Sequence, residues 1–172
     1  MLTGLNFFIY IQGKREDFWL LCKEIHSEVP DIAAKAQPIF STRLRPSLAG
    51  FKEKYIFASG GKIEETGEVT AEVFQYRVST DSWTIAPALN QGRQMHSSCV
   101  VDNSIYVCGG TDGQHGHLES IERLPFHDQA GVNDESTSHW ETLNIATPRF
   151  YNFLMVPITS SEILFLGGYR AG

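Results

Sequence analysis

Ser97-Ser98-Cys99-Val100-Val101-Asp102-Asn103-Ser104-Ile105-Tyr106-Val107-Cys108-Gly109-Gly110 is the stretch on which the fold turns. Two apolar, β-branched segments flank Asp102-Asn103, residues that tolerate the positive φ of a two-residue turn. Met95 to Val101 and Ser104 to Cys108 therefore read as an antiparallel hairpin. That turn sets Cys99 opposite Tyr106, so Cys99 and Cys108 lie diagonally, which favours two free buried thiols over a bridge. The double glycine recurs as Gly60-Gly61 and Gly167-Gly168, at offsets of 49 and 58 residues. Each copy follows a strand-like run, Tyr55 to Ser59 in one case and Ile163 to Leu166 in the other.

Between the glycine pairs a second hairpin repeats. Val73-Phe74-Gln75-Tyr76 is joined through Ser79-Thr80-Asp81-Ser82 to Trp83-Thr84-Ile85. Leu118 to Leu124 is joined through a longer polar insertion, near 127–138, to Trp140-Glu141-Thr142-Leu143. A unit of about 50 residues with four antiparallel strands is one blade of a β-propeller. The expected fold class is thus all-β, an open propeller of about three blades built from four-stranded antiparallel sheets. Residues 43–89 and 90–145 form whole blades, and 146–172 the first two strands of another. Residues 1–22, where Phe8-Ile9-Tyr10 and Phe18-Trp19-Leu20 imitate the Tyr and Trp of the later hairpin, are expected to be the outer hairpin of a partial blade. Residues 23–42 then form a linker with one helical turn around 31–36.

These marks resemble the kelch repeat: a double glycine closing the second strand, a Tyr about seven residues before a Trp, and that Trp on the fourth strand. Gly60, Gly61, Tyr76 and Trp83 match in full. Gly109, Gly110 and Trp140 match with Leu124 in place of the Tyr, and Gly167 and Gly168 open the third unit. Glycine pairs in phase permit backbone angles closed to residues with a Cβ and let a neighbouring chain approach. Tyr76, Trp83 and Trp140 suit the wedge between twisted sheets, each with an apolar body and a polar tip. The resemblance implies a protein-interaction module, serving as scaffold or substrate adaptor, with a ubiquitin-ligase component or a cytoskeletal protein as partner. It also implies that a set of two to three blades either belongs to a larger propeller or closes by self-association through its open faces.

Composition bounds the rest. The 172 residues carry 14 Lys plus Arg against 20 Asp plus Glu, a net charge of −6, which argues against nucleic acid or an anionic membrane as the main partner. Three cysteines, at 22, 99 and 108, form no CxxC pair and suggest a reduced, cytoplasmic setting. No P-loop, dinucleotide fingerprint, Gly-x-Ser-x-Gly elbow or His-Glu-x-x-His occurs. No catalytic residue and no cofactor are therefore expected. The alternative is part of a propeller enzyme, of the metal or sugar oxidase type, whose site needs further blades. His115, His117, His127 and His139 match no zinc spacing and are expected in solvated loops.

Arg45, Arg93 and Arg149 lie 15, 16 and 18 residues before their double glycines, at the start of the expected innermost strands. Two functions fit them. They could line the mouth of the central channel, where guanidinium groups suit a partner's carboxylates, with Gln94, His96, Phe150, Tyr151 and Asn152 beside them. Each could instead pair with a carboxylate or carbonyl of a blade.

Overall fold

The computed structural model describes residues 43–52, 54–114, 116–125, 139–145, 147 and 149–170. The partial hairpin expected at 1–22, the linker at 23–42 with its helical turn, and the insertion at 127–138 lie outside the described residues. Twelve strands follow in order: β1 Arg43–Leu44, β2 Ser47–Phe51, β3 Tyr55–Ser59, β4 Lys62–Ile63, β5 Val73–Arg77, β6 Ser82–Ala86, β7 Ser97–Val101, β8 Ser104–Cys108, β9 Ile121–Pro125, β10 Glu141–Leu143, β11 Phe150–Pro157 and β12 Ile163–Arg170. They form a four-stranded sheet β2-β3-β5-β6, a second β7-β8-β9-β10 and a two-stranded sheet β11-β12, while β1 pairs with β4. All pairs are antiparallel. These are the blades expected from the repeat.

Local chemistry explains the strands. Val101 pairs with Ser104 across a turn in which Asp102 takes φ 51°, the positive angle an Asp tolerates at low cost. Cys99 faces Tyr106, and both Cys99 and Cys108 are buried free thiols. A 3-10 turn, Val78–Thr80, closes β5 onto β6 with Asp81 left-handed at its end. There Tyr76 pairs with Trp83, their rings 5.2 Å apart. In the second sheet the fourth strand begins at Glu141, one residue after Trp140, and Leu124 takes the place of Tyr76. The third glycine pair differs from expectation: Gly167-Gly168 does not end its strand. Pairing continues past it to Tyr151–Tyr169 and Phe150–Arg170.

Alternation along each strand gives every sheet two faces, and both are used. From the first sheet Ala49, Phe51, Tyr55, Phe57, Val73 and Ala86 pack on Ile105, Val107, Leu124 and Trp140 of the second unit. The opposite face of the second sheet, with Cys99, Val101, Cys108 and Ile121, packs on Phe153 and Met155 of the third. Strand β8 shows the rule by itself, Ile105 and Val107 pointing back while Tyr106 and Cys108 belong to the forward cluster. Strands β2, β7 and β11 run side by side as the inner row. The hydroxyls of Ser47 and Ser98 are 2.7 Å apart, and the Met155 N–H donates to Ser97 Oγ at 2.9 Å.

The glycine pairs are the joints between sheets. Gly61 N–H donates to the Arg93 carbonyl at 2.8 Å, and Gly110 N–H to the Phe150 carbonyl at 2.9 Å. Such approach leaves no room for a side chain. A Cβ on Gly60 would stand 2.3 Å from Arg93 O, and one on Gly109 would stand 2.6 Å from Phe150 O.

Candidate functional site at the channel end

Where the chain enters each inner strand, Arg45, Met95 and Asn152 have φ of 56°, 55° and 54°. The Met95 N–H donates to the Arg45 carbonyl at 3.3 Å, and the Asn152 N–H donates to the Met95 carbonyl at 2.9 Å. Three left-handed residues thus step from sheet to sheet round the inner row and direct their side chains away from regular strand geometry. Arg45 and Asn152 are exposed here, and Met95 is half-buried. Arg45 makes no ion pair among the described residues.

This arrangement corrects the equivalence of Arg45, Arg93 and Arg149. Arg93 stands two residues before Met95, so its counterparts are Arg43 and Phe150. Arg43 donates to the Gly60 carbonyl at 3.2 Å and to the Glu72 carboxylate, with its guanidinium 4.9 Å over the Phe74 ring. Arg93 has 0% exposure. It donates to the Gly109 carbonyl at 3.1 Å, to the Ser120 carbonyl at 3.2 Å, to Ser120 Oγ at 3.0 Å and to the Glu122 carboxylate. Glu122 also accepts the Asn90 N–H at 2.6 Å. Burial lowers the Arg93 pKa, and Glu122 opposes that shift. Arg93 is a structural staple with no guanidinium to offer a partner, contrary to its place in the binding set. Its carbonyl holds Gly61 of one blade while its side chain holds Gly109 and Glu122 of the next. Arg149 pairs with Glu119 at the surface.

The remaining candidates divide by burial. Gln94 is 8% exposed, and its backbone is bonded both ways with Thr111 at 3.0 Å. His96 is 6% exposed and its Nε2 lies 3.0 Å from Ser59 Oγ. Phe150 is half-buried, its ring 6.1 Å from that of Phe153. Tyr151 stacks between His117, at 4.6 Å, and the exposed Tyr169, at 5.5 Å. Of the four histidines set aside as loop residues, His115 and His127 lie outside the described residues, and His139 is exposed. No group of three His, Cys, Asp or Glu able to hold a metal occurs among the described residues.

The accessible set is therefore Arg45, Tyr151 and Asn152, with Arg149–Glu119 alongside. Met95 and Tyr169 were missed. Counting back from the glycines could have found Met95, but the left-handed turn that makes position 95 equivalent to 45 and 152 has no residue-type signature, since Arg, Met and Asn share none. Tyr169 could have been found as the aromatic residue directly after its glycine pair.

Burial also gives His96 a pH signature. Desolvation first, and the Arg93 charge second, lower its pKa from the usual 6.5 to about 3. The unfolded chain binds the proton below pH 6.5 while the folded one refuses it until about pH 3. Stability is thus complete above pH 6.5 and falls as pH drops through this window, by up to about 1.4 kcal/mol per pH unit. Urea midpoints measured from pH 7.5 to 4 should decline less in His96→Gln than in the parent; an equal slope would assign the acid loss to other groups.

A fan of four-stranded antiparallel sheets, tied at phased double glycines and capped by a Trp wedge, defines a β-propeller repeat protein. The family profile described as Kelch motif matches residues 92–124. Kelch-like protein 36 of Rattus norvegicus is 30% identical over 116 residues, which is 67% of this chain and 18% of that protein. Kelch repeat and BTB domain-containing protein 2 of Horsepox virus is 27% identical over 143 residues, 78% of this chain and 23% of that protein. Kelch-like protein 6 of Homo sapiens is 34% identical over 73 residues, 42% of this chain and 11% of that protein. This chain is a kelch-repeat protein, and it spans about a fifth of the length of the first two of these relatives. No helix among the described residues is long and apolar enough to cross a membrane.

Proposed function

We propose that this chain is a non-catalytic protein-interaction module of the kelch type, working as a scaffold or adaptor in the cytoplasm. The observation that carries this reading is the row of left-handed residues at the channel end, which presents Arg45 and Asn152 outward on a backbone fixed by hydrogen bonds between sheets. A binding surface on connections held by rigid strands suits recognition. Arg45 lacks an intramolecular ion pair among the described residues, so it can take a carboxylate in a bidentate pair. Similarity to kelch-like proteins, one of which is named for a BTB domain beside its kelch repeats, supports an interaction role.

The test is affinity capture with the folded chain, comparing Arg45→Ala and Asn152→Ala with Asn103→Ala, which changes the β7–β8 turn at the opposite end of the second sheet. A protein retained by the parent and by Asn103→Ala, and lost from both channel-end variants, is the expected result. Equal retention by all four would remove the channel end as the binding face.

A further inference from the structure

The second unit enters its inner strand inside out. Arg93, Gln94, His96, Ser97 and Ser98 are all polar and 0% to 8% exposed, whereas Met95, the apolar residue among them, is half-buried. Met95 also belongs to neither of the apolar clusters that join the sheets. A flexible thioether side chain fills gaps in a core where a core offers them. Here both cores are built without it, so packing within the described residues does not account for an apolar side chain at this place.

The backbone sharpens the point. A residue with a Cβ is strained at φ near +55°, and Asn is the least penalised of the three types in the row. The third unit holds Asn at the equivalent step, Asn152, with φ 54°, while Met95 keeps φ 55°. The fold thus accepts the relaxed residue at this step, and strain retained where a relaxed alternative fits points to a task outside folding. The main chain of Met95 is already committed, its N–H donating to the Arg45 carbonyl at 3.3 Å and its carbonyl accepting from the Asn152 N–H at 2.9 Å. The side chain is the element left for such a task.

We propose that Met95 is the apolar anchor of the channel-end surface and selects a partner segment that presents an aliphatic side chain beside a carboxylate. The inference rests on the channel-end reading above and adds the chemistry of the partner to it. Met95 stands in the row between a cation, Arg45, and an amide, Asn152, both exposed. Arg45 takes the carboxylate, and the Asn152 amide offers a donor and an acceptor to the partner's main chain. An apolar contact ringed by polar groups is where an interface concentrates its affinity. Burying a leucine-sized side chain there contributes at least about a factor of ten. The three rotatable bonds and polarisable sulfur of Met95 fit several aliphatic shapes, so the selection is for a class of side chain.

The experiment titrates the full chain with two series of acetylated peptides. One series pairs a glutamate with a leucine at every short spacing, and the other replaces that leucine by serine. A glutamate–leucine peptide should bind at least about tenfold more tightly than its serine counterpart. Met95→Leu should keep this preference and Met95→Asn should erase it. Urea denaturation of the same variants reads the strain: Met95→Asn should raise the midpoint, since it relaxes the left-handed step and takes nothing from either core, and Met95→Leu should leave it unchanged. Leucine and serine peptides that bind alike, or that both fail to bind, overturn the proposal, as does a preference that survives Met95→Asn. A lower midpoint in Met95→Asn also overturns it, because the side chain would then serve the fold. Affinity capture with Arg45→Ala is read separately. A partner lost there while no leucine preference is found would remove the anchor and leave the channel-end surface standing.

Discussion

Arg93→Ala is expected to cost about 3 to 5 kcal/mol of folding stability, the cost of leaving one half of a buried pair without the other. Glu122 is 1% exposed, and Arg93 is its ionic partner. Removing the guanidinium also frees the Gly109 and Ser120 carbonyls and Ser120 Oγ, in an interior where unmade hydrogen bonds are expensive. Against a total of about 5 to 15 kcal/mol for a typical domain, this approaches unfolding at 37 °C. Chemical denaturation measures it, and Arg93→Met with Glu122→Gln separates charge from packing. If the stranded carboxylate dominates, the double variant recovers a large part of the loss. A single variant that loses less than about 1 kcal/mol would show that water reaches Glu122, and the staple would have to be discarded.

Trp140→Ala should be comparably severe, at about 3 to 5 kcal/mol, because it opens a cavity between two sheets instead of at a surface. Trp140 is 4% exposed and lies in the cluster that joins the first sheet to the second. Its indole N–H donates to the Pro87 carbonyl at 2.8 Å, and its own carbonyl accepts from Asn90 Nδ2 at 2.9 Å. The side chain therefore fixes the connection between blades as well as filling the wedge. Trp140→Phe keeps most of the volume and removes the donor, so its loss of about 1 kcal/mol should isolate the hydrogen bond. Trp83, only half-buried on the outward face of the first sheet, provides the comparison. Trp83→Ala should cost clearly less, and equal costs for the two would contradict this account of the wedge.

The strands were legible because they rest on near neighbours. Asp102-Asn103 specifies its own turn, the run from Ser97 to Cys108 specifies the faces, and Tyr76 with Trp83 specifies the outer hairpin through a four-residue connection, Val78 to Asp81. The double glycines announced close approach, and the carbonyls of Arg93 and Phe150 supply it. The candidate site was harder to read. Arg93, Gln94 and His96 were grouped with Arg45 and Asn152 because all lie near the start of inner strands. A buried staple and an exposed guanidinium look alike until their partners are known.

Those partners are distant in sequence. Glu122 is 29 residues from Arg93, and Ser59 is 37 residues from His96. By itself the sequence determined the all-β class, the order of strands and the places where sheets must touch, since alternation, turn chemistry and glycine act within a few residues. Only the tertiary structure decided which arginine is spent inside the fold and which faces outward. It alone revealed the left-handed row of Arg45, Met95 and Asn152. Burial and hydrogen-bond satisfaction depend on chain segments that meet only when the sheets pack.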